Sequence, residues 1–332
     1  MENVLEVINL ETSFELTEGS IKVLDNINFT LKSNEILGLI GESGCGKSVT
    51  ALSILQILPR NAKCNGKVLF YNGKKIINIL ELNSKGEEIR QIRGNEISMI
   101  FQEPAASFSP VYTIGEHMVE AITLHKNISE KLAKEKALEM LEKVKIPDPK
   151  KIIDAYPFEL SGGMLQRSMI AMALLCNPKI LIADEPTTAL DVTIQAQILY
   201  LIKELQKEFH SSIIFITHDL AVISQMADKI AVMYLGHIVE EANVYEMFKN
   251  PLHPYTKALL DSIPKYGVRK TRLETISGVV PDPYNLPKGC RFHTRCNKFM
   301  EGLCDVQQPK VVEISENHKV KCFLYGGTND ER

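Results

Sequence analysis

The chain has 332 residues, 45% of them hydrophobic and 24% charged, with a formal net charge of −3 and no tryptophan. Near-neutral charge without a basic arm or an aromatic-basic ladder argues against a nucleic-acid partner. No apolar run approaches the roughly 18 residues needed to span a bilayer, and the polar opening MENVLEVINLET has no signal-peptide character, so a cytosolic chain with one large core and a small appendage is expected.

The first informative element is the apolar run ILGLI at 36–40, which reads as a buried strand. It runs into GESGCGKS, formed by Gly41, Glu42, Ser43, Gly44, Cys45, Gly46, Lys47 and Ser48, and a helical pattern opens at Val49. Glycines let backbone N–H groups point inward at phosphate oxygens, and the new helix presents its positive end to them. Lys47 is placed to reach the β- and γ-phosphates, and Ser48 to offer its hydroxyl to Mg²⁺. A bare glycine turn before a helix is the plainer alternative; the strand before and the helix after weigh against it.

A second apolar run, 97–101, ends at Gln102. Strand signals then stop, and helical periodicity takes over from 103 to 175, with interleaved lysines, glutamates and leucines at 130–143 and the amphipathic stretch PVYTIGEHMVEAI at 110–122. Near the end of this region LSGGMLQR places Leu160, Ser161, Gly162 and Gly163 in a small-residue turn that leads into a helix. This has the character of a second phosphate site, so one chain carries both halves of a split ATP site.

The run ILIA at 180–183 reads as a strand buried on both faces and ends in Asp184 and Glu185. Ligands gather at the carboxyl ends of strands in open α/β sheets, so Asp184 suits the Mg²⁺ shell while Glu185 is free to orient or deprotonate a water. An acidic strand-to-turn corner is common anywhere; its position after a phosphate loop makes it informative. The third run, 213–217, ends at His218, in a position equivalent to that of Gln102. Neither residue says much alone, but their shared strand-end placement favours contacts with Mg²⁺ and the γ-phosphate. Asp191, in TTALD, is a candidate to reach across a subunit boundary.

Four of the seven cysteines, Cys290, Cys296, Cys304 and Cys322, fall in a proline-rich, irregular tail. Clustered cysteines in a cytosolic chain suggest metal before disulfides. Zinc sites usually contain a close pair two to four residues apart, which is missing here. Four thiolates from separate turns suit an iron–sulfur cluster, whose negative charge Lys288, Arg291, Arg295 and Lys298 would offset; zinc and unliganded thiols are the alternatives. The tail is too short to build its own core, so metal ligation would hold it folded. Cys45, Cys64 and Cys176 lie outside this set.

Together these residues resemble the ATP-binding subunits of ABC transporters. GESGCGKS matches the Walker A motif, Gln102 the Q-loop, LSGGMLQ the signature, ILIADE the Walker B motif, ALD the D-loop and His218 the switch histidine, all in the family's order. The resemblance covers about residues 4–265, and IFQEPAASFSP, YPFELSGG, DEPTTALDVT and NPLHPYTKALL are similar to the dipeptide and oligopeptide importer branch. Leu165 departs from that branch, which usually has arginine or another polar residue there.

The resemblance implies an α/β fold: a P-loop nucleotide-binding domain over 1–265, with a RecA-like core, a mixed sheet and a helical subdomain at about 104–175, then a C-terminal extension over 266–332. It implies that Phe14 stacks on adenine; that residues from Gly41 to Val49 bind ATP; and that Ser48, Gln102 and Asp184 attend Mg²⁺. Glu185 becomes the catalytic base, with Gln102 and His218 assisting. Ser161, Gly162, Gly163 and Gln166 would serve the ATP of a second ATPase subunit, a paralogue in a head-to-tail dimer, with Asp191 at the boundary. GCRFHTRC resembles the extension of peptide-importer ATPases, in which the matching cysteines ligate a [4Fe–4S] cluster; Zn²⁺ is the alternative. Implied partners are two membrane permease subunits and an extracytoplasmic peptide-binding protein, which puts the chain at the cytoplasmic face of the membrane. Rival readings are an importer of nickel or another small solute and a soluble ABC ATPase of iron–sulfur assembly.

Overall fold

The computed structural model describes residues 2–73, 75–188, 190–262 and 276–326. The expected boundary between 265 and 266 lies outside them. The chain divides into two units, one of residues 1–5, 31–36 and 70–216, the other of 6–30, 37–69 and 217–332.

In the first unit, strands Ile97–Ile100, Ile180–Asp184 and Ser212–Thr217 run parallel, with Ile97 opposite Ile180 and Ile182 opposite Ile214. Every residue of these strands is buried. Continuous apolar runs are what a parallel sheet covered on both faces requires, and so these strands could be located from the sequence. Between the first two strands the described chain is helical, and helices Ile114–Thr123, Glu130–Lys143 and Gly162–Leu174 pack on one another. Their ends are set locally. Thr113 accepts from the Glu116 N–H at 3.2 Å while the Glu116 carboxylate accepts from the Thr113 N–H at 2.6 Å, forming a reciprocal capping box. Ser129 and Ser161 cap the other two helices.

In the second unit, Leu37 to Ile40 pair in parallel with Lys229 to Val232. Strand Lys229–Tyr234 turns back on His237–Asn243 through Leu235 and Gly236, which have φ of 42° and 76°. Two left-handed residues in succession give the primed hairpin turn that matches strand twist. Gly236 is required twice over, because a Cβ there would lie 2.1 Å from the Val23 carbonyl oxygen. A further sheet has strand Asn3–Leu16 between Gly19–Lys32 and Ala62–Tyr71.

The tail departs from the irregular segment expected of it. A hairpin of Val312–Ser315 and His318–Val320 forms, and its second strand pairs antiparallel with His237–Asn243, with Val320 opposite Glu240. The sheet thus continues into the extension. No helix among the described residues is long and apolar enough to cross a membrane.

Candidate functional site

The phosphate-loop half lies in the second unit. Strand Ile36–Ile40 is wholly buried and delivers the chain into the loop, and helix Lys47–Ile54 leaves it. Gly46 is the residue before this helix, at φ 107°, and an added Cβ would meet Leu24 Cδ2 at 2.7 Å. The residue before the helix offers no side-chain cap and the first turn carries no acidic residue of its own, so the positive end of the helix is not offset from within its own sequence. The Lys47 side chain is buried, and its ammonium donates to the carbonyl oxygens of Gly41 and Glu42. Cys45, also buried, has its thiol pKa pushed up by burial, which leaves it an inert packing residue.

Glu42 is held at three points. Its N–H donates to the Tyr255 hydroxyl at 2.9 Å, its carbonyl accepts from Lys47 at 3.1 Å, and its carboxylate is forked by Arg295 at 2.6 and 3.0 Å. Val49 continues the helix. Phe14 lies half-buried near the end of Asn3–Leu16. His218 is exposed where strand Ser212–Thr217 ends, next to Asp219, which caps the following helix.

The carboxylate half lies in the first unit. Asp184 closes its strand and is 4% exposed. Glu185 adopts a left-handed φ of 46°, and its N–H donates to the Ile216 carbonyl at 2.9 Å. A non-glycine residue in that conformation is held there by its surroundings. The Glu185 carboxylate accepts from the Gln102 amide at 3.2 Å and from the Thr188 hydroxyl at 2.9 Å. The structure therefore brings Gln102 and Glu185 together. It adds Thr188, which the sequence reading did not single out; the signal available was a hydroxyl three residues past an acidic strand end.

In the same unit Ser161 caps helix Gly162–Leu174 by accepting from the Met164 N–H at 3.4 Å, and it is exposed together with Gly162. Gln166 is 2% exposed, and its Nε2 has no acceptor among the described residues. A buried donor without a partner is costly, so it marks a position with a purpose beyond packing. Leu165, the departure from the importer pattern, is buried, which gives an apolar side chain a place there. Asp191 caps Val192–Phe209, accepting from the Thr193 and Ile194 N–H groups at 3.0 Å each. Its carboxylate is thus engaged within its own chain.

In the tail Cys290, Cys296, Cys304 and Cys322 are free thiols; Cys304 and Cys322 are buried and Cys290 and Cys296 partly so. Burial pushes the Cys290 thiol up to about 11. Three of the sulfurs accept a backbone N–H from two residues on: Phe292 to Cys290, Lys298 to Cys296 and Leu324 to Cys322. N–H groups aimed at sulfur stabilise thiolate and tune clusters that thiolates hold. Among the described residues no three potential ligands are placed to hold a metal ion, so neither the iron–sulfur nor the zinc expectation gains support from their placement.

Two of the expected charge-balancing residues are otherwise engaged. Arg291 donates to Asp25 and to the Leu235 carbonyl, and Arg295 to Glu42, so both guanidiniums anchor the tail to the body of its unit. Around Arg291, Lys321 donates to His237 Nδ1, and His237 Nε2–H donates to Asp25 at 3.0 Å. The hydrogen bond from His237 holds the Asp25 carboxyl far below the usual range, while burial brings His237 down to about 4.

Two family models match the chain, one for the ABC transporter over residues 24–188 and one for the oligopeptide/dipeptide transporter C-terminal region over 239–304. The probable peptide ABC transporter ATP-binding protein y4tR of Sinorhizobium fredii is 49% identical over 322 residues, covering 96% of this chain and 94% of the relative. The oligopeptide transport ATP-binding protein AppD of Bacillus subtilis is 48% identical over 326 residues, 98% of each chain. The oligopeptide transport ATP-binding protein OppD of Escherichia coli is 44% identical over 320 residues, 96% of this chain and 93% of the relative. Among solved structures, the dimeric post-hydrolysis state of the ATP-binding cassette MJ0796 bound to ADP and Pi matches with a TM-score of 0.64 and 28% identity, covering 72% of this chain and 98% of that one.

Proposed function

Since the chain belongs to the ABC transporter family and has its P-loop ATPase fold with a mixed sheet, we propose that it is the ATP-hydrolysing subunit of a dipeptide or oligopeptide importer. The observation that carries this reading is near-full-length identity to ATP-binding proteins of peptide transport, reinforced by the match of the oligopeptide/dipeptide C-terminal region.

In this reading the amides of Gly41, Glu42, Ser43, Gly44, Cys45 and Gly46 and the Lys47 ammonium take the phosphates of ATP, Val49 continues the supporting helix, and Phe14 stacks on adenine. Ser48, Gln102 and Asp184 would hold Mg²⁺, which neutralises phosphate charge as it develops. Glu185 orients and deprotonates the attacking water. Support for that role is the Gln102 and Thr188 donors, which fix the direction of its carboxylate. His218 contacts the γ-phosphate. Ser161, Gly162, Gly163 and Gln166 complete the ATP site of a second, similar subunit, as the helix start that Ser161 caps and the unpaired Gln166 amide suggest. Asp191 lies at that boundary. ATP binding closes the dimer, hydrolysis reopens it, and the free energy appears as motion of two membrane permease subunits that receive peptide from an extracytoplasmic binding protein.

We propose further, from the four cysteines of the extension and their likeness to peptide-importer ATPases, that they hold a [4Fe–4S] cluster. The backbone amides directed at three of the sulfurs fit thiolate ligation, while among the described residues the side chains as placed form no ready-made metal site. Bound there, the cluster would cross-link the turns of the extension.

Co-expression with the candidate permeases and reconstitution in vesicles tests the function: peptide uptake should require ATP and this subunit. Stable association with iron–sulfur scaffold proteins instead of membrane subunits would overturn it.

A further inference from the structure

We propose that Arg295, in the C-terminal extension, is a positioning residue for the phosphate loop and acts through Glu42. The inference rests on the reading that residues 41–48 take the phosphates of a nucleotide. Arg295 has a side chain only 4% exposed, and its guanidinium is fully committed: Nη1 and Nη2 fork the Glu42 carboxylate at 2.6 and 3.0 Å, and Nε donates to the Ser277 carbonyl at 3.1 Å. The guanidinium also lies 5.8 Å from the centre of the Tyr234 ring. A planar, two-point bond of this kind fixes direction as well as distance.

The loop has reason to need it. Glu42 is the second residue of GESGCGKS, so a negative charge of the same sign as the phosphates is built into their cradle. Drawn to Arg295, that carboxylate is neutralised while the backbone stays fixed, its N–H on Tyr255 and its carbonyl on Lys47. Without Arg295, an unopposed carboxylate would stand beside the incoming phosphates. Arg295 immediately precedes Cys296, so the cysteine-bearing segment carries the counter-charge of the nucleotide cradle.

The test is a double-mutant cycle read as MgATP dissociation constants of the full chain, with thermal unfolding recorded for every variant. Arg295→Gln should weaken binding about ten-fold. Arg295→Lys, which keeps charge but loses the fork, should weaken it about three-fold. Glu42→Gln should tighten binding about three-fold, because it removes the offending charge; weaker binding in that variant would overturn the inference. The double variant Glu42→Gln with Arg295→Gln should return to within about two-fold of wild type. A residue that merely holds the tail in place would give no such recovery. Additive losses, or unchanged binding in Arg295→Gln, would overturn this inference alone. A wild-type chain that binds no MgATP would overturn the phosphate-site reading and this inference with it.

Discussion

The ammonium of Lys47 lies 2.8 Å from the carbonyl oxygen of Gly41 and 3.1 Å from that of Glu42, so the phosphate loop closes on its own lysine. Carbonyl dipoles satisfy the buried cation until a stronger acceptor arrives. A phosphate that takes their place gains charge-assisted bonds in a site already shaped for it. Lys47→Ala should therefore weaken MgATP binding about 100-fold, close to 2.7 kcal/mol, and abolish the nucleotide-induced rise in melting temperature. Isothermal titration checks it; near-normal affinity would remove Lys47 from phosphate binding.

Glu185 accepts from both Gln102 and Thr188. Glu185→Gln keeps the shape and loses the base, so turnover should fall by about 10²- to 10⁴-fold while MgATP binding persists and dimers accumulate on size exclusion. Thr188→Val removes one donor from the carboxylate and should lower turnover about three- to ten-fold with affinity unchanged. Full activity in Glu185→Gln would end the catalytic assignment.

Anaerobically purified chain should contain about four irons with matching sulfide and absorb visible light. Serine at Cys290, Cys296, Cys304 or Cys322 should abolish that signature. Serine at Cys64 or Cys176, which lie outside the tail, should leave it intact. Stoichiometric zinc without iron in metal analysis would refute the cluster.

His253 is wholly buried, and its Nδ1 accepts the Tyr255 N–H at 3.0 Å. Burial lowers its pKa from the ordinary 6.5 to about 3. The unfolded chain therefore takes up a proton below pH 6.5 that the folded chain refuses until about pH 3, so stability falls as pH drops through that window. Between pH 7 and 5.5 this group alone should remove about 1 kcal/mol. Urea unfolding at both pH values should show a smaller difference for His253→Asn, a variant that keeps a side-chain oxygen for the helix cap. An identical pH dependence in the two proteins would refute the assignment.

Local features of the fold were legible in the sequence because their causes are local. The runs at 36–40, 97–100 and 180–183 are largely apolar because both faces are covered, and Ser161 opens its helix from a small-residue turn. The loop around Lys47 was recognisable for the same reason. The Arg295 bond to Glu42 spans 253 positions and that of Arg291 to Asp25 spans 266, and no periodicity encodes such pairings. In the tail, His318–Val320 is a strand of three residues with a lysine at its centre, too short and polar to signal a sheet. The sequence therefore led the two arginines to be assigned to the cysteines beside them.

Glu240 is 1% exposed and accepts from three donors at 2.8 Å each: the N–H groups of Leu252 and His253 and the imidazole of His318. The hairpin bearing His318 also covers the backbone of His237–Asn243. A minimal cassette cut after residue 262 would strip one proton donor from an interior carboxylate and bare a strand edge. Such an edge recruits any extended chain it meets, so the shortened protein should aggregate at concentrations at which the intact one stays dispersed.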